Sequence, residues 1–193
     1  MRFTKSTIEI NRELSELDMF TINFTNILKK YTPYVIVSGY VAILLGRARA
    51  SEDIDIIIPK IDFPTFESLL KELRENNFYC LNGDEDEYLF EYLLERTPIR
   101  FAKQDTIIPN IELKCSKNRF DELALKKTMI VKLPGEAELT ISHLELQIAF
   151  KEVVLKSPKD LEDAIYIRTV AKEIIDEKLI EDYKVELDGF YRG

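Results

Sequence analysis

The amino-acid sequence predicts an α/β (α+β) protein, in which a small mixed β-sheet is flanked by helices and the C-terminal part is helical. Short apolar runs rich in β-branched residues, typical of buried strands, alternate with segments of helical periodicity through residues 34–141. From residue 142 onward only helical periodicity continues. The chain has 193 residues, which suggests one domain with an appendage rather than two full domains.

The composition of the chain argues against a membrane protein, a strong non-specific nucleic-acid-binding protein and a zinc protein. Hydrophobic residues make up 46% of the chain, enough for an ordinary core, and neither a membrane-length apolar run nor a signal peptide is evident, so we expect a cytoplasmic protein with no membrane partner. The formal charge of −8 argues against strong non-specific nucleic-acid binding, but it is compatible with a local site for an RNA end. Cys80 and Cys115 have apolar neighbours and are expected to be buried free thiols. A single histidine excludes an ordinary zinc site.

Turn residues and periodicity divide the chain into expected elements. Helices are expected over residues 6–30, 40–45, 63–76, 84–95, 117–127, 142–156, from 157 onward, and over 174–187. Strands are expected over residues 35–37, 53–58, 78–81, 98–102, 107–115, 129–133 and 138–141. Ser6 is expected to cap the first helix, and Ser157 followed by Pro158 to start the seventh. We therefore expect one domain with an N-terminal helix (1–33), a sheet core with helices (34–141) and a helical C-terminal part (142–193).

Two aspartates open the strand expected at residues 53–58. Because side chains on a strand alternate between its faces, Asp53 and Asp55 project to one face, and the isoleucines between and after them project into the core. Two neighbouring carboxylates at the head of an apolar strand repel each other unless a cation lies between them. Mg²⁺ is the natural candidate, because it is bound by a few carboxylates together with substrate phosphate oxygens.

Residues 35–58 combine a strand, a Gly turn, a short helix and a second strand that carries Asp-x-Asp. This order resembles the nucleotidyltransferase superfamily of the polymerase-β type. The connecting GRARASEDIDI, and a lysine on one helix followed by KDLEDA at the start of the next, are similar to a small prokaryotic branch related to abortive-infection and toxin–antitoxin nucleotidyltransferases. The resemblance covers about residues 35–170 and implies a nucleotidyltransferase-like fold.

The resemblance implies catalytic roles for three carboxylates. Asp53 and Asp55 would hold two Mg²⁺ ions, one on the triphosphate of an NTP and one on an acceptor hydroxyl. The family takes a third carboxylate from a neighbouring strand, and Glu112 is the candidate for this base or second-metal ligand. In the alternative, Glu112 faces solvent on the other side of the sheet.

A second set of residues would bind the nucleotide if the resemblance holds: Ser38, Gly39, Arg49, Ser51 and Lys151. Gly39 and neighbouring amides would hold phosphates, and the Arg49 guanidinium would clamp a phosphate oxygen. The alternative for Arg49 is a surface residue paired with Glu52.

Lys151 lies on a mainly apolar side of its helix, where a lysine needs a partner. The resemblance implies that it contacts the triphosphate. The alternative is an ion pair with Asp160 or Asp163 on the next helix.

The implied function is metal-dependent transfer of a nucleoside monophosphate from an NTP to a hydroxyl on an RNA end, a protein or a small molecule. A toxin–antitoxin or defence system, with a partner toxin or antitoxin, is the setting that the branch suggests. One departure supports a different class: Tyr40 stands where the family has a second Gly or a Ser. With the acidic segment 84–95 and the long first helix, it motivates the alternative of a non-catalytic antitoxin or partner-binding module.

Overall fold

A nine-stranded mixed sheet forms the centre of the computed structural model, which describes residues 1–95 and 97–192. The strands are β1 (Arg2–Phe3), β2 (Thr7–Glu9), β3 (Val35–Val37), β4 (Asp53–Ile58), β5 (Phe78–Cys80), β6 (Ile99–Lys103), β7 (Asn110–Cys115), β8 (Thr128–Lys132) and β9 (Glu138–Ser142). Their spatial order is β1-β2-β8-β9-β3-β4-β7-β6-β5. The predicted fold class, a mixed sheet flanked by helices, is confirmed.

Eight α-helices surround the sheet in the described ranges: α1 (Glu16–Leu28), α2 (Gly39–Leu44), α3 (Phe63–Glu75), α4 (Asp86–Leu94), α5 (Arg119–Lys126), α6 (Leu144–Phe150), α7 (Pro158–Val170) and α8 (Glu177–Arg192). The segment predicted as one helix over residues 142–156 is α6 followed by a π-helical turn, Lys151–Leu155. Within the described residues, no helix is long and apolar enough to cross a membrane.

The two faces of the sheet have different partners. Ile54 pairs in register with Ile111, and Ile111 with Phe101, so these three side chains share one face. The Phe101 ring lies 5.5 Å from that of Phe24 on α1, which therefore covers this face. The opposite face carries Asp53 and Asp55, and it is approached by α5 and α6. Their side chains form a cleft with Asp55.

The N-terminal helix was predicted to start too early. Residues 7–9 form β2, which pairs in parallel with β8 and buries Ile8 completely. The helix begins only at Glu16, because Ser15 and Asp18 form a capping box in which each side chain bonds the other residue's backbone amide. The prediction of Ser6 as the cap is therefore wrong, and the sheet begins well before residue 34.

The C-terminal boundaries were predicted with mixed success. Ser157 caps α7 as expected, accepting a hydrogen bond from the Asp160 amide. The last helix begins later than predicted, at Glu177, and continues beyond its predicted end to Arg192; Gly193 lies outside the described residues. Cys80 and Cys115 are buried free thiols, as predicted.

Candidate active site

Parallel pairing of β4 and β7 brings the predicted carboxylates onto one face of the sheet. Asp53 lies opposite Asn110, and Asp55 lies opposite Glu112. Because in-register partners on neighbouring strands project to the same face, Glu112 shares the face of both aspartates. The alternative in which Glu112 faces the other side is therefore wrong, while its catalytic role stays a prediction.

Two cations that were not predicted from the sequence, Arg100 and Lys114, neutralise two of the three carboxylates. The Arg100 guanidinium donates to Glu112 at 2.8 Å, and the Lys114 ammonium lies 3.1 Å from Asp55 Oδ1. The hydrogen bond to Glu112 raises the pKa of Arg100, and the charges of Asp53 and Asp55 contribute to the rise. Lys114 could have been found from the sequence, because a residue two positions after Glu112 on a strand shares its face.

The carboxylates fit a cation bound mainly by substrate oxygens rather than a protein-only metal cage. Among the residues that the structure describes, no three histidine, cysteine, aspartate or glutamate side chains are gathered closely enough to hold a metal ion. Asp53 and Asp55 nevertheless supply hard oxygen ligands on one face of a strand. Mg²⁺ accepts such a site when phosphate oxygens and water complete the coordination.

A cleft opens beside Asp55, between the sheet and the helices α5 and α6. Its volume is about 160 Å³. One end is polar and includes Ser38, Asp55 and Lys114, whereas the wall formed by α5 and α6 is mainly apolar, with Phe120 and Phe150 among its residues. A concave, mostly apolar pocket with a few polar groups at one end is the usual form of a small-molecule site.

The turn after β3 has an unusual backbone conformation at the polar end of the cleft. Ser38 has φ 67° and ψ −138°, a combination that residues other than glycine rarely adopt and that stores strain. Its amide donates to Gln147 Oε1 at 3.1 Å, and Gln147 Nε2 donates to Ser142 Oγ at 2.6 Å. These bonds attach the turn to α6 and β9 and hold Ser38 in its strained conformation.

Gly39 lies where an arginine side chain packs closely against the turn. A Cβ added at Gly39 would lie 3.0 Å from Nη2 and 3.2 Å from Cζ of Arg49, closer than ordinary van der Waals contact. Arg49 in turn donates to Asp163 Oδ2 at 2.5 Å, and its side chain is 11% exposed. The alternative of Arg49 as a surface residue paired with Glu52 is therefore wrong.

Next to this turn lies a set of charges, most of them buried, that we call the Asp163 cluster. It consists of Asp163, Asp160, Glu162, Lys151, Arg47 and Arg49. The Lys151 ammonium lies 2.7 Å from Asp163 and 3.3 Å from Asp160, and its side chain is 1% exposed. The structure thus has the ion pair that was the alternative for Lys151. Because the ammonium is shielded from solvent in this conformation, its contact with the triphosphate stays a prediction.

Tyr40 does not obstruct the turn. Its side chain is fully buried, and its hydroxyl donates to Asp18 Oδ1 at 2.8 Å, away from the cleft. Burial would raise the pKa of Asp18, but hydrogen bonds from Arg12, Ser15 and Tyr40 outweigh it and lower that pKa to about 2. Tyr40 therefore anchors α2 to the start of α1, and this departure from the family pattern leaves the site open.

Ser51 lies on the approach to β4. Its hydroxyl donates to the backbone carbonyl of Asp53 at 3.0 Å. This bond shapes the chain just before the carboxylate pair, and the nucleotide-binding role of Ser51 stays a prediction.

Comparison with known proteins supports the fold assignment. No protein-family model and no curated protein sequence matches this chain. It is similar to the crystal structure of an antigenic nucleotidyltransferase-like protein from Paracoccidioides brasiliensis, with 14% identity, a TM-score of 0.56 and coverage of 88% of this chain and 85% of that one. It is also similar to the solution structure of the antibiotic-resistance factor ANT(2'')-Ia, with 14% identity, a TM-score of 0.53 and coverage of 91% and 95%. These likenesses show that the chain has a nucleotidyltransferase-like fold.

Proposed function

We propose that the protein is a metal-dependent nucleotidyltransferase that moves a nucleoside monophosphate from an NTP to a hydroxyl acceptor. The observation that carries the proposal is the shared face of Asp53, Asp55 and Glu112, next to a strained Ser-Gly turn and an open cleft. Each of these features taken alone has a simple structural explanation. Their combination on a nucleotidyltransferase-like fold supports catalysis.

In the proposed reaction the acceptor oxygen attacks the α-phosphorus of the NTP. The bond between the α-phosphorus and the oxygen that bridges it to the β-phosphate breaks, and pyrophosphate leaves. Asp53 and Asp55 would hold Mg²⁺, which when bound would neutralise triphosphate charge and polarise the phosphorus. Glu112 would accept the proton of the attacking hydroxyl. Such chemistry depends on positioning and charge neutralisation, so no nucleophilic side chain of the protein is needed.

The cleft supports a position for the nucleotide. Its polar end adjoins Ser38 and Asp55, where the phosphates would lie near Gly39, and its apolar wall suits the flat ring of a base. Arg49 would help to position the phosphates indirectly, because it packs against the turn that would bind them. Lys151 would contribute through its ion pair with Asp163, which also binds Arg49. The acceptor remains one of three classes: an RNA end, a protein hydroxyl or a small molecule, in a toxin–antitoxin, defence or other setting.

The first test removes the carboxylate pair. An Asp53→Asn/Asp55→Asn variant is expected to lose Mg²⁺-dependent NTP binding in calorimetry while the protein stays folded, because the relief of repulsion between the two carboxylates offsets the lost ion pair between Asp55 and Lys114. A Glu67→Gln/Glu87→Gln variant changes the charge equally at exposed positions on α3 and α4 and should bind like the wild type.

Transfer itself is measured by incubating the protein with labelled NTPs, Mg²⁺ and total RNA. Label that appears on RNA or on the protein, and not with the double variant, would support the proposal. Equal NTP affinity in the wild type and the Asp53/Asp55 variant would contradict it and favour a non-catalytic module.

A further inference from the structure

Three consecutive rows of side chains cross β4 and β7 on the face of the candidate site. From the start of the strands they are Asp53 with Asn110, Asp55 with Glu112, and Ile57 with Lys114. On one side of the middle row lie the amide of Asn110 and the carboxylate of Asp53. On its other side lies Lys114. This order makes the two sides of Asp55 chemically different.

On the Lys114 side, Asp55 already has a cation. The ammonium lies 3.1 Å from Asp55 Oδ1, and the Lys114 side chain is 23% exposed at the polar end of the cleft. The ladder between β4 and β7 fixes both backbones, so the pair is part of the sheet rather than of a mobile loop. A positive charge at this distance opposes a metal ion on the same oxygen.

On the Asp53 side, oxygen atoms lack partners. Asn110 is 7% exposed, and its Oδ1 has no hydrogen-bond partner among the described residues. The amide nitrogen of the same side chain donates to the Glu52 carbonyl, at 3.3 Å. No cation lies within ion-pair distance of Asp53 in the described part of the chain. A buried acceptor without a partner is costly, and amide and carboxylate oxygens are ligands for hard cations.

The fixed cations also leave one carboxylate unmatched. Arg100 pairs with Glu112, and Lys114 pairs with Asp55, so that of the three carboxylates only Asp53 is without a cation in the described ranges. The unpaired negative charge of Asp53 and the unpartnered oxygen of Asn110 thus lie on the same side of Asp55.

We propose that the site holds a single divalent cation, on the Asp53 side of Asp55 and next to Asn110, and that Lys114 supplies the second positive charge that the reaction needs. The inference rests on the proposed function for its chemistry, and it revises the two Mg²⁺ ions that the family resemblance implies. In this arrangement Lys114 faces the cleft where a nucleotide phosphate would enter, and it neutralises Asp55 without a second metal.

The number of bound ions tests the inference directly. Mn²⁺ alone is titrated into the full chain, with water completing the coordination in place of the phosphate oxygens, and free Mn²⁺ is followed by electron paramagnetic resonance. We expect one ion per chain for the wild type and two for Lys114→Met, because Asp55 is then free to share a second ion. Lys114→Arg should restore one ion. Lys126→Met, which removes the same charge from an exposed position on α5, should leave one ion.

Two outcomes would overturn the inference: two ions in the wild type, or a single ion in both Lys114→Met and a second variant, Lys114→Gln. Circular dichroism confirms that each variant is folded. The proposed function is judged separately by the transfer assay. Two ions together with nucleotidyl transfer in the wild type would overturn the single-ion site alone, whereas neither Mn²⁺ binding nor transfer would overturn both proposals.

Discussion

Two sets of charged residues flank the Ser38–Gly39 turn, and they differ in balance and burial. The Asp163 cluster combines three carboxylates with three cations, and Asp163 and Lys151 are shielded from solvent. The second set, which we call the strand-face set, combines three carboxylates with two cations and borders the cleft; its members are Asp53, Asp55, Glu112, Arg100 and Lys114. Buried charges are tolerated when they are fully paired. A set that is open and incompletely paired retains the capacity to bind a further cation.

The two sets adjoin neighbouring residues of the same turn. Arg49 belongs to the Asp163 cluster and packs against Gly39, whereas Ser38 lines the cleft beside Asp55. We therefore assign the cluster a structural role that positions the turn, and in the proposed function the strand-face set would carry the chemistry. Predictions on each set test this division.

The largest expected effect concerns the chemical set. Glu112→Gln should leave NTP binding nearly intact and slow transfer by about 10²–10⁴-fold, as much as about 5.4 kcal/mol in the barrier, because the attacking hydroxyl loses its proton acceptor. Single-turnover transfer measures the rate and calorimetry measures the affinity. Glu138→Gln, an exposed strand glutamate on β9, is the matched control and should react like the wild type. An unchanged rate in Glu112→Gln would remove Glu112 from the chemistry.

The next largest effect is expected in the Asp163 cluster. Asp163→Asn should lower the free energy of unfolding by about 3–5 kcal/mol, because Lys151, Arg47 and Arg49 lose the carboxylate that they share. Urea unfolding measures the change. Glu162→Gln removes a carboxylate of the same cluster whose side chain is 67% exposed, and it should cost less than about 1 kcal/mol. A similarly small cost for Asp163→Asn would show that the cluster contributes little to stability.

The smallest effect concerns the contact that joins the two sets. Gly39→Ala should destabilise the fold by about 1–3 kcal/mol, because the new methyl group would displace the Arg49 guanidinium. The same change in an Arg49→Ala background should be close to neutral. Gly189→Ala is the control: it adds a methyl in open space on α8 and should be neutral or stabilising. If Gly39→Ala costs the same with and without the Arg49 side chain, the contact is not what requires glycine.

Local patterns predicted much of the fold and the placement of two residues of the candidate site, Asp53 and Asp55. Period-two alternation placed Asp53 and Asp55 on one face, and the Ser157–Pro158 cap located the start of α7. The N-terminal region was predicted wrongly because β2 is stabilised by pairing with β8, a partner far along the chain. The helical pattern that begins near Ser6 competes with that pairing, and the pairing prevails because it completely buries Ile8.

The sequence by itself determined the order of the elements from residue 35 onward and the face that the aspartate pair shares, because these properties depend on neighbours within a few residues. Only the tertiary structure decided the partners: Glu112 and Lys114 beside Asp55, Arg100 on Glu112, and Asp163 between Lys151 and Arg49. Strand register and helix packing bring together residues that are remote in the chain. They are set by the burial of the whole core, which local patterns do not contain.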